Sequence, residues 1–179
     1  MSSNLVGRRQ LKVKRNLLDM NATHNYKLTI KWTGNNGNGT STYRSYERSH
    51  SIFIEGKPEI AATSDPAFRG DKTKHNPEEL LVAALSSCHM LSYLYECANA
   101  GVVVTGYTDH AVGTMVETAD GGGHFTEVTL NPIVTVKETS MIEKANHLHH
   151  EASQRCFIAS SVNFPIHHNP TCSAAAGES

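Results

Sequence analysis

Between Glu79 and Glu96 the chain contains no Asp, Glu, Lys or Arg. Within that stretch Leu80, Leu81, Ala84, Leu85, Leu91, Leu94 and Tyr95 cover more than one helical face. A helix that is apolar nearly all round has to be buried, so this segment predicts the central helix of the fold. Its start is well specified. Asn76 is a good N-cap, because its side chain can accept from the unpaired N–H groups of the first turn. Pro77 suits the first helical position, where a missing N–H costs nothing, and Glu78 and Glu79 stand where the helix dipole favours negative charge. The pattern predicts a helix from Asn76 to about Ala100, with Gly101 as its stop. Ser86, Ser87, His89 and Ser92 interrupt its apolar run. It therefore falls short of the ~18 uninterrupted apolar residues of a membrane span, and no membrane is expected as a partner.

The rest of the chain reads as strands and one further helix. Tyr26, Leu28, Ile30 and Trp32 alternate with Lys27, Thr29, Lys31 and Thr33, the period of a strand with one polar face. The Gly- and Asn-rich run from Gly34 to Gly39 predicts a turn into a second strand over residues 40–46. A third strand is expected over residues 51–54, and a loop over residues 64–75. After the central helix, residues 102–117 read as one long strand and Asp120-Gly121-Gly122-Gly123 as a hairpin turn. The returning strand carries Val128, Leu130, Val134 and Val136 on one face, with Pro132 marking a bulge or an edge. Ser140 and Glu143 have the spacing of a capping box. Ile142, Ala145, Leu148 and Ala152 then predict an amphipathic helix to about Arg155, and residues 162–166 a last strand. The order is α+β, with antiparallel sheet packed on helices.

At 179 residues the chain fits one domain or one protomer of an interwoven oligomer. Residues 1–20 carry Arg8, Arg9, Lys12, Lys14 and Arg15 against Asp19, without the apolar core of a secretory signal. They read as a basic leader, residues 21–168 as the domain, and residues 169–179 as a flexible tail.

Charge narrows the chemistry. Lys and Arg total 16 against 17 acids, so a protein held on nucleic acid by phosphate contacts is excluded. No phosphate-binding glycine motif opens a helix after a strand. Four cysteines are too sparse for a disulfide scaffold, which leaves thiols at rest in a reducing, cytoplasmic setting. Cys88 lies mid-helix, where a free cysteine most often serves as a small apolar filler. Ser86, Ser87 and His89 nevertheless bracket it with polar groups. So deep in a helix a thiolate gains little from the dipole and needs a separate cation. Arg69 is the nearest arginine upstream. Glu78 either completes the first-turn charge pattern or holds an arginine by a bidentate pair. Cys156, at the end of the second helix, is either core or the partner of an oxidised Cys88. Cys97 is nine residues from Cys88, ~13 Å along one helix, so those two cannot pair. Cys172 reads as incidental. The plainer reading of His147, His149, His150, His167 and His168 is surface histidine rather than a zinc site.

Three features together resemble the OsmC/Ohr family, the osmotically inducible protein C and organic hydroperoxide resistance proteins. They are Asn76-Pro77-Glu78-Glu79-Leu80, Ser87-Cys88-His89 with its cysteine ten residues after Glu78, and a lone Cys156 between a helix and the final strand. The likeness covers about residues 24–168. It implies an intertwined homodimer, with antiparallel sheets wrapped around two long central helices and active sites at the dimer interface. It also implies Cys88 as peroxidatic cysteine, Cys156 as resolving cysteine and Glu78 as the acid that holds a catalytic arginine. Arg69 stands about where the OsmC branch places that arginine. Arg48 or Arg44 suits a branch that draws it from an earlier strand or loop. His89 departs from the apolar residue common at that position. The implied activity is reduction of organic hydroperoxides, and of hydrogen peroxide, to alcohols through a sulfenic acid and a disulfide. A dithiol donor of lipoyl or thioredoxin type would recycle the protein, without metal, flavin, haem or other cofactor. The alternatives are a non-catalytic member binding a small apolar ligand at the same interface, and a His/Cys metal-binding protein.

Overall fold

In the computed structural model, which describes residues 22–176, helix α1 spans Pro77–Ala100. The Asn76 side chain accepts from the Glu79 N–H at 2.8 Å, and the Asn76 N–H donates to the Glu79 carboxylate at 3.1 Å. This reciprocal capping box starts the helix where its sequence places the start. Gly101, at φ 74°, ends it in the left-handed conformation that glycine adopts at no steric cost.

The burial of α1 departs from expectation. Leu85, His89, Tyr93, Glu96 and Cys97 form a buried stripe, whereas Leu91 is 63% and Tyr95 50% exposed. One copy of the chain thus covers only one side of a charge-free surface. By length and composition alone α1 would also pass as a membrane-crossing helix, but its buried stripe packs on protein.

Upstream, β1 (Thr29–Trp32), β2 (His50–Phe53) and β3 (Ile60–Ala62) form an antiparallel sheet in that order. The strand expected over residues 40–46 is absent. Asn35 Oδ1 accepts from the N–H groups of Gly37 and Gly39 at 2.9 and 3.0 Å, so side-chain bonds replace a ladder and hold the segment in turns.

Downstream, each long expected strand is split. The first becomes β4 (Val104–Asp109) and β5 (Val112–Glu117), and the second becomes β6 (Gly123–Leu130) and β7 (Pro132–Val136). Two C-terminal strands, β8 (Ile166–His168) and β9 (Thr171–Ala174), complete two three-stranded sheets of order β4-β7-β9 and β5-β6-β8. The breaks lie side by side and are laced together. The Asn131 N–H donates to Asp109 Oδ1 at 2.7 Å, Asn131 Nδ2 to the His110 carbonyl at 2.8 Å, and the Asn169 N–H to the Leu130 carbonyl at 2.9 Å. Pro132 has no N–H to carry the ladder through.

Four further expectations are corrected. The sheets are mixed, since β6–β8 and β7–β9 run parallel; helix α2 (Ile142–Arg155) is the crossover that returns the chain in the same direction. The last segment is not a frayed tail through its length, because Thr171–Ala174 pairs along β7. The strand expected over 162–166 begins only at Ile166. The capping box at Ser140 does not form, because Ser140 lies inside a 3-10 turn (Thr139–Met141) that runs directly into α2. Residues 1–20, read as a basic leader, and the end of the tail at 177–179 lie outside the described residues.

Two apolar clusters make the core. One gathers Tyr93, Cys97, Val102, Val134, Val136, Ala145, Leu148 and Ala152, and the other Leu85, Val128 and Leu130. No residue of β1, β2 or β3 belongs to either. The α+β layout is as expected, and it sets α1 against α2 with the cysteine-bearing turn of α1 at the end of α2.

Candidate active site

The fold brings together two thiols that lie 68 residues apart in sequence. Cys88 projects from the middle of α1, and Cys156 is the C-cap of α2, where the backbone turns extended. Their side chains are close enough for Cys88 to shift the acidity of Cys156, and both are free thiols. Cys156 is buried at 2% exposure, and the Ala159 N–H donates to its sulfur at 3.4 Å. Burial, and after it the neighbouring Cys88 thiol, push the Cys156 thiol up to about 11. Cys156 therefore keeps its proton at neutral pH. Cys88 is the member of the pair that is partly open to solvent.

Glu79 is occupied by the capping box, but Glu78 is not. Its Oε2 is buried and has no hydrogen-bond partner among the described residues. A buried carboxylate oxygen without a partner is costly, so this atom marks a place where a donor belongs. Arg69, the arginine named from sequence, is not there. It is exposed, makes no ion pair with Glu78, and its guanidinium lies 5.9 Å from the Tyr43 ring. Its backbone is nonetheless tightly set. Arg69 is the one non-glycine with positive φ among the described residues, at 68°. The Asp65 side chain accepts from the Ala67 N–H at 2.7 Å, the Gly70 N–H donates to the Asp65 carbonyl at 3.0 Å, and Gly70 packs so closely on the Ser64 carbonyl that no side chain fits. Arg48 is engaged elsewhere. It donates to the carbonyls of Tyr46 and Tyr43 at 2.6 and 2.8 Å, and its guanidinium stacks 4.2 and 4.3 Å from the rings of Tyr43 and Tyr46. Arg44 is exposed. Arg155, next to Cys156, reaches Glu96 at 3.1 Å.

A groove of about 830 Å³ runs along another face of α1. Glu78, Ser86, Tyr107, Asp109 and Phe125 line it, and so does Asp65 from the loop that carries Arg69. Neither Cys88 nor Cys156 lines it. Within one chain the thiols, the acid and the arginine are thus three separate features.

The sequence reading missed a buried histidine layer. His89 is 1% and His149 3% exposed, with His89 Nε2 and His149 Nδ1 3.1 Å apart. The His168 ring lies 4.4 Å from that of His89, and Tyr93 stacks on His149 at 3.9 Å. Burial lowers His89 to about 3 and His149 to about 4, so both are neutral at pH 7. Among the described residues, no group of three or more His, Cys, Asp or Glu side chains is arranged to hold a metal ion. The expectation of surface histidines fails at His149, which flanks Leu148 and precedes Ala152 on the apolar stripe of α2. That spacing, and the place of His89 midway between Leu85 and Tyr93, was the available signal.

A family model described as OsmC-like protein matches residues 70–170. An OsmC-like protein of unknown function from Vibrio cholerae is 30% identical, with a TM-score of 0.75 over 83% of this chain and 100% of its own. The organic hydroperoxide resistance protein of Elizabethkingia anophelis is 19% identical, with a TM-score of 0.62 over 87% of this chain and 100% of its own. The organic hydroperoxide resistance protein OhrB of Bacillus subtilis is 17% identical, with a TM-score of 0.56 over 85% of this chain and 100% of its own. These two share the fold. No curated protein matches the sequence.

Proposed function

Since the chain belongs to the OsmC-like protein family, we propose that it is a thiol-dependent hydroperoxide reductase that uses Cys88 and Cys156. The observation that carries this reading is the nearness of a partly exposed Cys88 to a buried, protonated Cys156. The Cys88 thiolate attacks a peroxide oxygen, an S–O bond forms, the O–O bond breaks, and the alcohol leaves with a proton. The Cys156 sulfur then attacks the sulfenic sulfur, and the proton held by Cys156 leaves with the hydroxyl as water. A dithiol donor of lipoyl or thioredoxin type reduces the disulfide by exchange. Protonated Cys156 does not compete with Cys88 as a thiolate.

In this reading Glu78 holds a guanidinium beside Cys88, where it favours the thiolate and the charge developing on the peroxide. The unpartnered Glu78 Oε2 supports such a role for Glu78. Arg69 is the candidate, reaching Glu78 once the site is closed by a second copy of the chain. The homodimer is itself part of the proposal. It is supported by the uncovered face of α1 at Leu91 and Tyr95, and by the segment leading into and along β1, where Leu28, Ile30 and Trp32 are 56%, 61% and 41% exposed. The separate groove supports a second reading, a member that binds a small apolar ligand without turnover. One measurement divides the two. Reduced protein treated with one equivalent of cumene hydroperoxide is expected to yield a Cys88–Cys156 disulfide peptide with loss of the peroxide. Peroxide left unconsumed, with both thiols intact, favours the binding reading.

A further inference from the structure

Helix α1 carries a second cysteine that the proposed reaction leaves unused. Cys97 lies about 13 Å along the axis from Cys88, too far to join that site. It is 1% exposed and packs with Tyr93, Val134, Val136 and Ala145. Facing this cluster is β9, an edge strand paired on one side only, with β7. The parallel register sets Cys172 beside Val134 and Ala174 beside Val136. Both valines are fully buried, and along β9 the partly buried residues are Cys172 and Ala174 while Thr171 and Ser173 are exposed. Cys172 is therefore an inward residue of β9 and packs on the cluster that contains Cys97. Burial raises the Cys97 thiol above its ordinary value and raises Cys172 as well. Cys172 is the member with access to solvent. This arrangement repeats that of Cys88 and Cys156, with one half-open thiol beside one buried thiol.

We propose that Cys97 and Cys172 form a second oxidisable pair, which a hydroperoxide converts to a disulfide that ties the C-terminal edge strand to the central helix. The Cys172 thiolate attacks the peroxide, an S–O bond forms, and the O–O bond breaks to release the alcohol. Cys97 then attacks the sulfenic sulfur, the S–S bond forms, and the hydroxyl departs with the Cys97 proton as water. Two thiols are oxidised by two electrons, and one hydroperoxide is reduced to alcohol and water. The pair joins positions 75 residues apart, so the bond fixes a strand whose only ladder partner is β7.

The test uses the full chain with Cys88→Ser and Cys156→Ser, so that only this pair can report. After excess tert-butyl hydroperoxide and blocking of free thiols, mass mapping is expected to find the Cys97 and Cys172 peptides joined and released by dithiothreitol. Backbone amides of residues 171–174 are expected to exchange roughly 10-fold more slowly in the oxidised form. Adding Cys172→Ser removes both effects. The same mapping on the wild-type chain decides the matter should the double variant fail to fold. Over-oxidised Cys172 with Cys97 still a free thiol overturns the proposal, as does a Cys172–Cys172 link between two molecules or survival of both thiols.

Discussion

The middle and the C-terminal end of α1 each present a thiol to the C-terminal half of the chain, and the pairs differ in what surrounds them. At Cys88 the partner is another sulfur: Cys156 lies beside Cys88 and receives the Ala159 N–H. Cys97 is buried in one cluster with Tyr93, and Cys172 packs on that cluster. The first pair has a backbone donor at its buried sulfur. The second has to shift side chains in a close-packed core before it can bond. Between them lie His89, His149 and Tyr93, which keep the two pairs apart. Burial of one thiol is common to both pairs. What differs is the donor at the buried sulfur, which Cys156 has in the Ala159 N–H and Cys97 lacks among the described residues.

That contrast can be broken in several ways. The largest expected effect is that of Cys88→Ser, which should cut hydroperoxide turnover by roughly 10⁴-fold or more because the nucleophile itself is lost. Retained turnover of cumene hydroperoxide would move the chemistry to another thiol. Next comes the histidine layer. Folded His89 and His149 resist protonation down to about 3 and 4, whereas the unfolded rings titrate near 6.5, the ordinary value for histidine. Below pH ~6.5 the unfolded chain therefore takes up protons that the folded chain refuses, and stability falls as pH drops. Each ring should cost about 2 kcal/mol between pH 6.5 and pH 5, read by urea unfolding at the two pH values. A flat profile would mean that these rings reach water. Glu78→Gln should lower kcat/KM by about 10²-fold, the scale of losing one preorganised charge partner, and leave Cys97–Cys172 cross-linking unchanged. Equal activity of Glu78→Gln and wild type would remove Glu78 from the site. The smallest effect is expected of Cys172→Ser. Turnover should stay within about two-fold and stability within ~1 kcal/mol, since the side chain is partly exposed. A large loss of turnover in that variant would erase the distinction between the pairs.

Much of α1 was legible from local pattern. The Asn76 cap, Pro77, the paired glutamates and the Gly101 stop are each contacts within one turn, so sequence neighbours suffice to predict them. The ten-residue step from Glu78 to Cys88 and the place of Cys156 pointed to the family. The pairing of Cys156 with Cys88 came from that resemblance and not from spacing. The strand breaks at His110, Asn131 and Asn169 were not legible, since each depends on a strand far along the chain, and Pro132 alone hinted at one of them. His149 was misread because a run of four residues with three histidines looks polar, while only the helix phase shows that one of them points inward.

By itself, then, the sequence determined which segments become helix, where the central helix begins and ends, and that a charge-free surface along it demands cover. Those outcomes rest on propensity, capping and hydrophobic period, which act over a few residues. Only the tertiary structure decided which thiols meet, that Glu78 keeps an unpartnered buried oxygen, that three histidines share one layer, and that the last strand is paired rather than frayed. These are contacts between residues about 40 to 80 positions apart, and they form only once helix and sheet have packed.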